Sequence, residues 1–180
     1  MKVISNIAVA VGLVVSTINF ASAENSYFET SYSLINYSEP GLSAKPTALR
    51  GIYGVKTSDS LAYEGMLGLG LASSTTSYAN IKFDIKMTSM IGVYAKGTTK
   101  LSDSVEAFGR FGLTHLNDSA NATYNGKSTS FSSNGGSLSY GAGLKFNMSK
   151  DYDFVVDYMS YYNKDSVKFT GTSLGVSVKF

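Results

Sequence analysis

From Thr170 to the C-terminus, apolar and polar side chains alternate with a period of two. Thr170, Thr172, Leu174, Val176, Val178 and Phe180 share one face, and Gly171, Ser173, Gly175, Ser177 and Lys179 share the other. Such alternation marks a strand with one apolar and one polar face. At about ten residues, it has the length a tilted strand needs to cross a bilayer. The pattern recurs upstream. Strands are predicted at about Ser26–Tyr37, Thr47–Thr57, Leu61–Ser73, Ile85–Lys96, Ser104–Leu116, Ser137–Asn147 and Tyr152–Asn163. In the sixth, Leu138, Tyr140, Ala142, Leu144 and Phe146 oppose Ser139, Gly141, Gly143, Lys145 and Asn147. In the seventh, Phe154, Val156, Tyr158 and Tyr162 oppose Asp153, Asp157 and Tyr161. The fourth leaves its facing open: Ile91, Val93 and Ala95 oppose Met90, Gly92, Tyr94 and Lys96, and either set could face out.

The connections alternate in length. Ser38–Pro46, Ser74–Asp84, Asn117–Gly136 and the shorter Asn163–Ser166 alternate with tight turns near Ser58–Ser60, Gly97–Asp103 and Ser149–Asp151. Long loops at one end and short turns at the other are the arrangement of a membrane barrel, with the short turns on the periplasmic side. Pro40 and Pro46 fall in the first long loop, where proline removes no ladder hydrogen bond. Asn117–Gly136 is a Ser/Thr/Asn/Gly-rich stretch and reads as an exposed, mobile loop.

The N-terminus places the chain in the envelope. Lys2 begins a short basic region, Val3–Val15 is mostly apolar, and Ala21-Ser22-Ala23 forms an A-x-A cleavage site. Residues 1–23 therefore read as a cleaved secretory signal peptide and 24–180 as one barrel domain. The chain has no cysteine, which removes disulfides and thiolate metal sites. No stretch after Ala23 is long and apolar enough for a transmembrane helix. The net charge of +2 gives no reason to expect a nucleic-acid partner.

Backbone polar groups in hydrocarbon must all be paired, and a sheet closed on itself leaves no edge. The fold expected is therefore all-β, an eight-stranded antiparallel up-and-down transmembrane barrel, whose bore is just wide enough for side chains to fill. A soluble barrel would put the apolar faces inward. The charged residues Arg50, Glu64, Glu106, Arg110, Lys145 and Asp157 all lie on polar faces near mid-strand, which points those faces into the lumen. Inward glycines such as Gly68 and Gly143 would make room for larger inward neighbours.

The segments Lys45–Gly51, Ala62–Gly70, Phe108–Gly112, Ser139–Leu144, Val156–Asn163 and the terminal Phe180 resemble the eight-stranded outer-membrane β-barrel family, the porin-like barrels of the OmpA/OmpX type. The resemblance runs through nearly all of 24–180. It implies the outer membrane of a Gram-negative bacterium, contact with outer-membrane lipid, and a C-terminal Phe180 read by the outer-membrane assembly machinery.

The lumen charges allow two readings, an ion pathway or a packed network in which Arg50, Glu64, Glu106 and Arg110 satisfy one another. Aqueous channels need about 16 strands, so the network is favoured. Catalytic groups are scarce. The resemblance extends to lipid A-modifying barrels that use a histidine, a serine and a carboxylate, but His115 is the lone histidine, and Asp118 and Ser119 follow it with nothing evident to orient them. Asp151, Asp153 and Asp157 lack the glycine and terminal glutamate of a calcium loop. The expectation is a monomeric, cofactor-free, non-enzymatic barrel with a structural or surface-interaction role, any surface ligand meeting loop 117–136. A small-solute channel is the alternative.

Overall fold

The computed structural model describes residues 25–180. The expected signal peptide, with Ala21 and Ala23 at its cleavage site, lies outside the described residues. Ten strand segments appear: β1 Ser26–Glu39, β2 Leu42–Ala44, β3 Thr47–Lys56, β4 Leu61–Ala72, β5 Ser74–Tyr78, β6 Ile81–Lys100, β7 Val105–Tyr124, β8 Lys127–Asn147, β9 Tyr152–Lys164 and β10 Val167–Lys179. Eight of them are the staves of a barrel. β2 precedes β3 across the Lys45-Pro46 break and pairs with β1, and β5 continues β4 past Ser73 and pairs with β6. All pairings are antiparallel between neighbours in the chain, and β10 closes on β1 from Tyr27↔Lys179 to Ser38↔Lys168.

The outward face explains the closure. Leu34, Leu67, Ile91, Val93, Phe111 and Leu138 are each more than half exposed. Together with their neighbours they form an apolar girdle far larger than a soluble protein leaves in water. The facing left open for the fourth strand resolves with Ile91 and Val93 outward and Met90, Tyr94 and Lys96 buried in the lumen. Inward glycines accommodate bulk. A Cβ on Gly68 would collide with Met90, and one on Gly143 with the Phe108 ring.

The two ends differ from the expected loops. Three connections, 57–60, 101–104 and 148–151, have four residues each and share an end with both termini, the periplasmic end by the barrel rule. At the other end there are no long irregular loops. Each connection is a two-residue turn: Pro40-Gly41, Ala79-Asn80, Asn125-Gly126 and Asp165-Ser166. Both central residues have positive φ in the last three (Asn125 46°, Gly126 76°). That matches type I′ turns, whose twist fits a hairpin. Asn117–Gly136 is thus a correction. It is a ladder paired from Asn117↔Asn134 to Tyr124↔Lys127, extending β7 and β8 beyond the girdle.

Two irregularities re-aim side chains, as β-bulges do. Register slips between Met87 and Ser89, so Ile85 and Met87 point inward on one side of the slip and Met90, Gly92 and Tyr94 on the other. A second slip, between Phe169 and Thr170, leaves Tyr161 as the extra residue of β9. Tyr162 then pairs with buried Phe169 and meets its ring edge-on at 6.4 Å, so it lies on the lumen side and not with Phe154 and Tyr158 as the plain alternation predicts.

Candidate functional site

The lumen is layered. Toward the extracellular end it is apolar, with Ile35, Tyr37, Met87, Met90, Met159 and Phe169 in one buried cluster. Beneath this lies a charged network strung between six strands. Arg50 on β3 uses all five of its N–H donors. It donates from Nε to Ser31 Oγ (3.0 Å), from Nη1 to Asp157 Oδ1 (3.1 Å) and Tyr161 Oη (2.8 Å), and from Nη2 to Glu29 Oε1 (2.9 Å) and Asp157 Oδ2 (2.6 Å). Arg110 on β7 donates to Glu64 Oε2, Asp157 Oδ2 and Glu29 Oε2, each at 2.6 Å, and to Glu64 Oε1 at 3.2 Å. Tyr27 donates its hydroxyl to Glu64 at 2.5 Å. Lys96 Nζ lies 3.3 Å from Glu64 and 4.4 Å from the centre of the Phe108 ring.

Three cations, Arg50, Arg110 and Lys96, thus face three carboxylates, Glu29, Glu64 and Asp157, and none of the six is more than 4 % exposed. Charges this deep persist only when paired and hydrogen-bonded on every side. The local sequence places them so: each sits on the inward parity of its strand, and the ladders put Ser31 opposite Arg50 and Gly54 opposite Glu64.

Of the six residues singled out from sequence, Arg50, Glu64, Arg110 and Asp157 converge here. Glu106 and Lys145 do not join them. They form a second cluster toward the periplasmic end, Lys145 Nζ lying 2.5 Å from Glu106 Oε2 and 3.8 Å from Asp153 Oδ2, with Lys179 Nζ 2.7 Å from Asp153 Oδ1. Glu29, Lys96, Tyr27 and Tyr161 were not named as network members. Inward parity could have found Tyr27, Glu29 and Tyr161; Lys96 needed the facing of β6. Phe180 follows β10, its backbone N–H donating to Ser26 O at 3.1 Å. His115 is exposed on the outer face of β7 opposite Gly136, whereas Asp118, beyond it, lies on the lumen side of the ladder. The two do not share a face, so the histidine–carboxylate pair of a lipid A-modifying site is not assembled there.

At the extracellular mouth a cavity of about 280 Å³ is lined by Tyr37, Glu39, Asp118, Tyr162 and Phe169, among others. Burial, and then the neighbouring Glu39, hold the Asp118 carboxyl above its usual range. Burial and the hydrogen bond to Glu39 push the Tyr37 hydroxyl up as well. Beyond the mouth, β8 pairs with β9 over Tyr140–Asn147 alone, so Lys127–Gly136 has no ladder partner on that side among the described residues.

The outer membrane protein beta-barrel domain matches residues 7–180. The chain belongs to this family. It is therefore a β-barrel protein of the Gram-negative outer membrane. Among solved structures it is similar to Ail, the attachment invasion locus protein of Yersinia pestis, at 24 % identity and a TM-score of 0.62, covering 88 % of this chain and 100 % of that one. Ail in complex with the heparin analogue sucrose octasulfate aligns at 22 % identity and a TM-score of 0.59, over 88 % and 100 %. Neisserial surface protein A aligns at 19 % and 0.59, over 88 % and 99 %. At these identities the likeness establishes the shared eight-stranded barrel. No curated protein matches the chain.

Proposed function

We propose that this outer-membrane barrel is a monomeric surface-interaction protein whose lumen is closed, and that its interaction site is the β7–β8 hairpin rather than the bore. The carrying observation is the free edge of β8. Lys127–Gly136 presents about ten residues of unpaired strand with Lys127 as its lone charge, held ahead of the membrane by a rigid ladder. Such an edge is what proteins normally shorten, charge or cover, because it invites an extended segment of another chain to pair with it. The heparin analogue bound by Ail makes a sulfated glycan a reasonable second probe for the same extracellular face. The network of Arg50, Arg110, Glu29, Glu64 and Asp157 supports closure, since it blocks the bore at its own level with paired, buried charge. Phe180, ending the strand that closes the barrel, is the residue we assign to recognition by the assembly machinery.

The test deletes Ala120–Phe131 and rejoins the ladder with an Asn-Gly turn. Cells carrying the shortened barrel should lose adhesion to protein-coated surfaces while the barrel keeps its heat-modifiable gel mobility. Purified wild-type protein in planar bilayers should pass negligible current. Unchanged adhesion, or a steady current that Glu64→Gln alters, would replace this reading with the small-solute channel.

A further inference from the structure

The bore is not filled along its whole length. On the periplasmic side of the arginine network lies a cavity of about 600 Å³, with Tyr27 and Lys96 at its inner end and the Ser58–Ser60 turn at its lip. That volume is typical of small-molecule sites. Its charges are unevenly committed. Lys145 and Lys179 are held by Glu106 and Asp153 at 2.5 and 2.7 Å, and Lys96 belongs to the network through Glu64. Lys56, Lys100 and, at the lip, Asp59 also line the cavity, and none of the three makes an ion pair among the described residues, which leaves two cations against one anion.

Lys56 is only partly exposed, and the ammonium groups of Lys145 and Lys179 act on it from across the cavity, offset in part by the carboxylates of Glu106 and Asp153. Like charges gathered in a partly dehydrated pocket repel more strongly than in open water. An anion bound among them would relieve that repulsion and gain charge-assisted hydrogen bonds. A purely structural cluster would have matched each lysine with a carboxylate, as the neighbouring network does with its three cations and three anions.

We propose that this vestibule is a binding site for a small periplasmic anion bearing carboxylate or phosphate groups, with Lys56 and Lys100 as the uncommitted ligands and Lys145 and Lys179 completing the positive wall. It goes beyond the surface role and faces the opposite compartment.

The experiment is calorimetric titration of the folded barrel in detergent micelles at low ionic strength, using citrate as the carboxylate probe and tripolyphosphate as the phosphate probe. Saturable one-to-one binding of either is expected, and the better of the two names the ligand class. Lys56→Gln and Lys100→Gln should each weaken it about tenfold, the scale of one lost charge-assisted hydrogen bond. Lys56→Glu should abolish it, and Lys82→Gln, on the extracellular extension, should leave it unchanged. Gel mobility before and after heating checks that each variant is folded. Two results would overturn the site: no saturable heat with either probe, or binding that survives Lys56→Gln and Lys100→Gln while Lys82→Gln weakens it. The titration reads occupancy whether or not a current is found, so failure of the closed-lumen reading and failure of this one are separable.

Discussion

The membrane-level bore and the extracellular β7–β8 hairpin are built from the same ladder, yet their side chains do opposite work. In the bore every position has a fixed facing: apolar outward into lipid, charged or bulky inward, with Arg50 and Arg110 not more than 2 % exposed. In the hairpin both faces are polar and open, and no residue from Asn121 to Asn134 is buried. Hydrogen bonding of the backbone is common to both regions. What differs is the medium on each side, and the medium decides what a substitution costs. Where lipid and a dry lumen flank the sheet, side-chain identity is stringent. Where water flanks it on both faces, the strand persists through its turn and its ladder alone, which leaves its surface free to vary for recognition.

The sharpest way to break that contrast is to unpair a lumen charge. Glu64 accepts from Arg110 at 2.6 and 3.2 Å and from Tyr27, so Glu64→Gln or Arg110→Gln leaves buried charge without its counterpart. Breaking such a pair costs about 3–5 kcal/mol, which should appear as a lower urea unfolding midpoint. Asn121→Ala in the hairpin, a surface change, should stay within about 0.5 kcal/mol. A double-mutant cycle should give a larger non-additive term for Glu64 with Arg110, which touch, than for Glu64 with Arg50, which communicate through Arg110 and the carboxylates the two arginines share, Glu29 and Asp157. Wild-type stability in both single variants would mean that the lumen is hydrated and tolerant like the hairpin.

Two exposed phenylalanines offer a second, smaller test. Phe111 and Phe131 lie on β7 and β8 with nearly equal exposure, 60 % and 57 %, and accessibility alone would rank them as equivalent. Phe111 belongs to the girdle, where an arginine near the bilayer midplane costs about 2–4 kcal/mol. Phe131 lies in the hairpin opposite Ala120, on the same face as Asp118 and beyond the mouth, where an arginine meets water. Phe111→Arg should therefore lower folding stability in lipid vesicles clearly more than Phe131→Arg does. Equal effects would mean that exposure alone, and not the medium on each side of the sheet, sets the cost of an arginine.

The same contrast explains what could be read from the chain. Barrel strands were legible because lipid imposes a one-sided pattern, as in Leu138 to Phe146 against Ser139 to Lys145. Asn117–Gly136 has no apolar face to alternate with, so its period is silent, although Asn125-Gly126 is a strong hairpin signal. The bulge at Met87–Ser89 inverts parity within one strand, which is why the facing of β6 stayed open until the structure fixed it. Parity placed Arg50, Glu64, Arg110 and Asp157 in the lumen. It could not place their heights relative to one another, since register between non-adjacent strands depends on the accumulated stagger of the barrel. Glu106 is a different case: it stands four residues before Arg110 on the same strand and directly opposite Lys145 on β8, which it meets.

The finest test concerns Asp118, where the two regions meet at the extracellular mouth. Burial and the nearby Glu39 hold its carboxyl above the usual range, and Tyr37, Tyr162, Lys164 and Asp165 line the same cavity. A raised folded-state pKa means that the folded protein binds this proton more tightly than the unfolded chain does. Stability from this group is therefore greatest at acid pH and declines as pH rises from the ordinary aspartate value, about 3.9, through the raised folded one. This is the reverse of an ordinary salt-bridged carboxylate. Asp118→Asn removes the group from the titration. The variant's urea midpoint should gain on wild type as pH rises from about 4 to neutrality, by an amount tempered by the half-exposure of the site. Because Glu39 raises the Asp118 pKa by repulsion, Glu39→Gln should shrink the pH-dependent difference without removing it, burial being the larger cause. A difference that is flat with pH, or that grows toward acid, would mean that the mouth is as open to water as the hairpin above it.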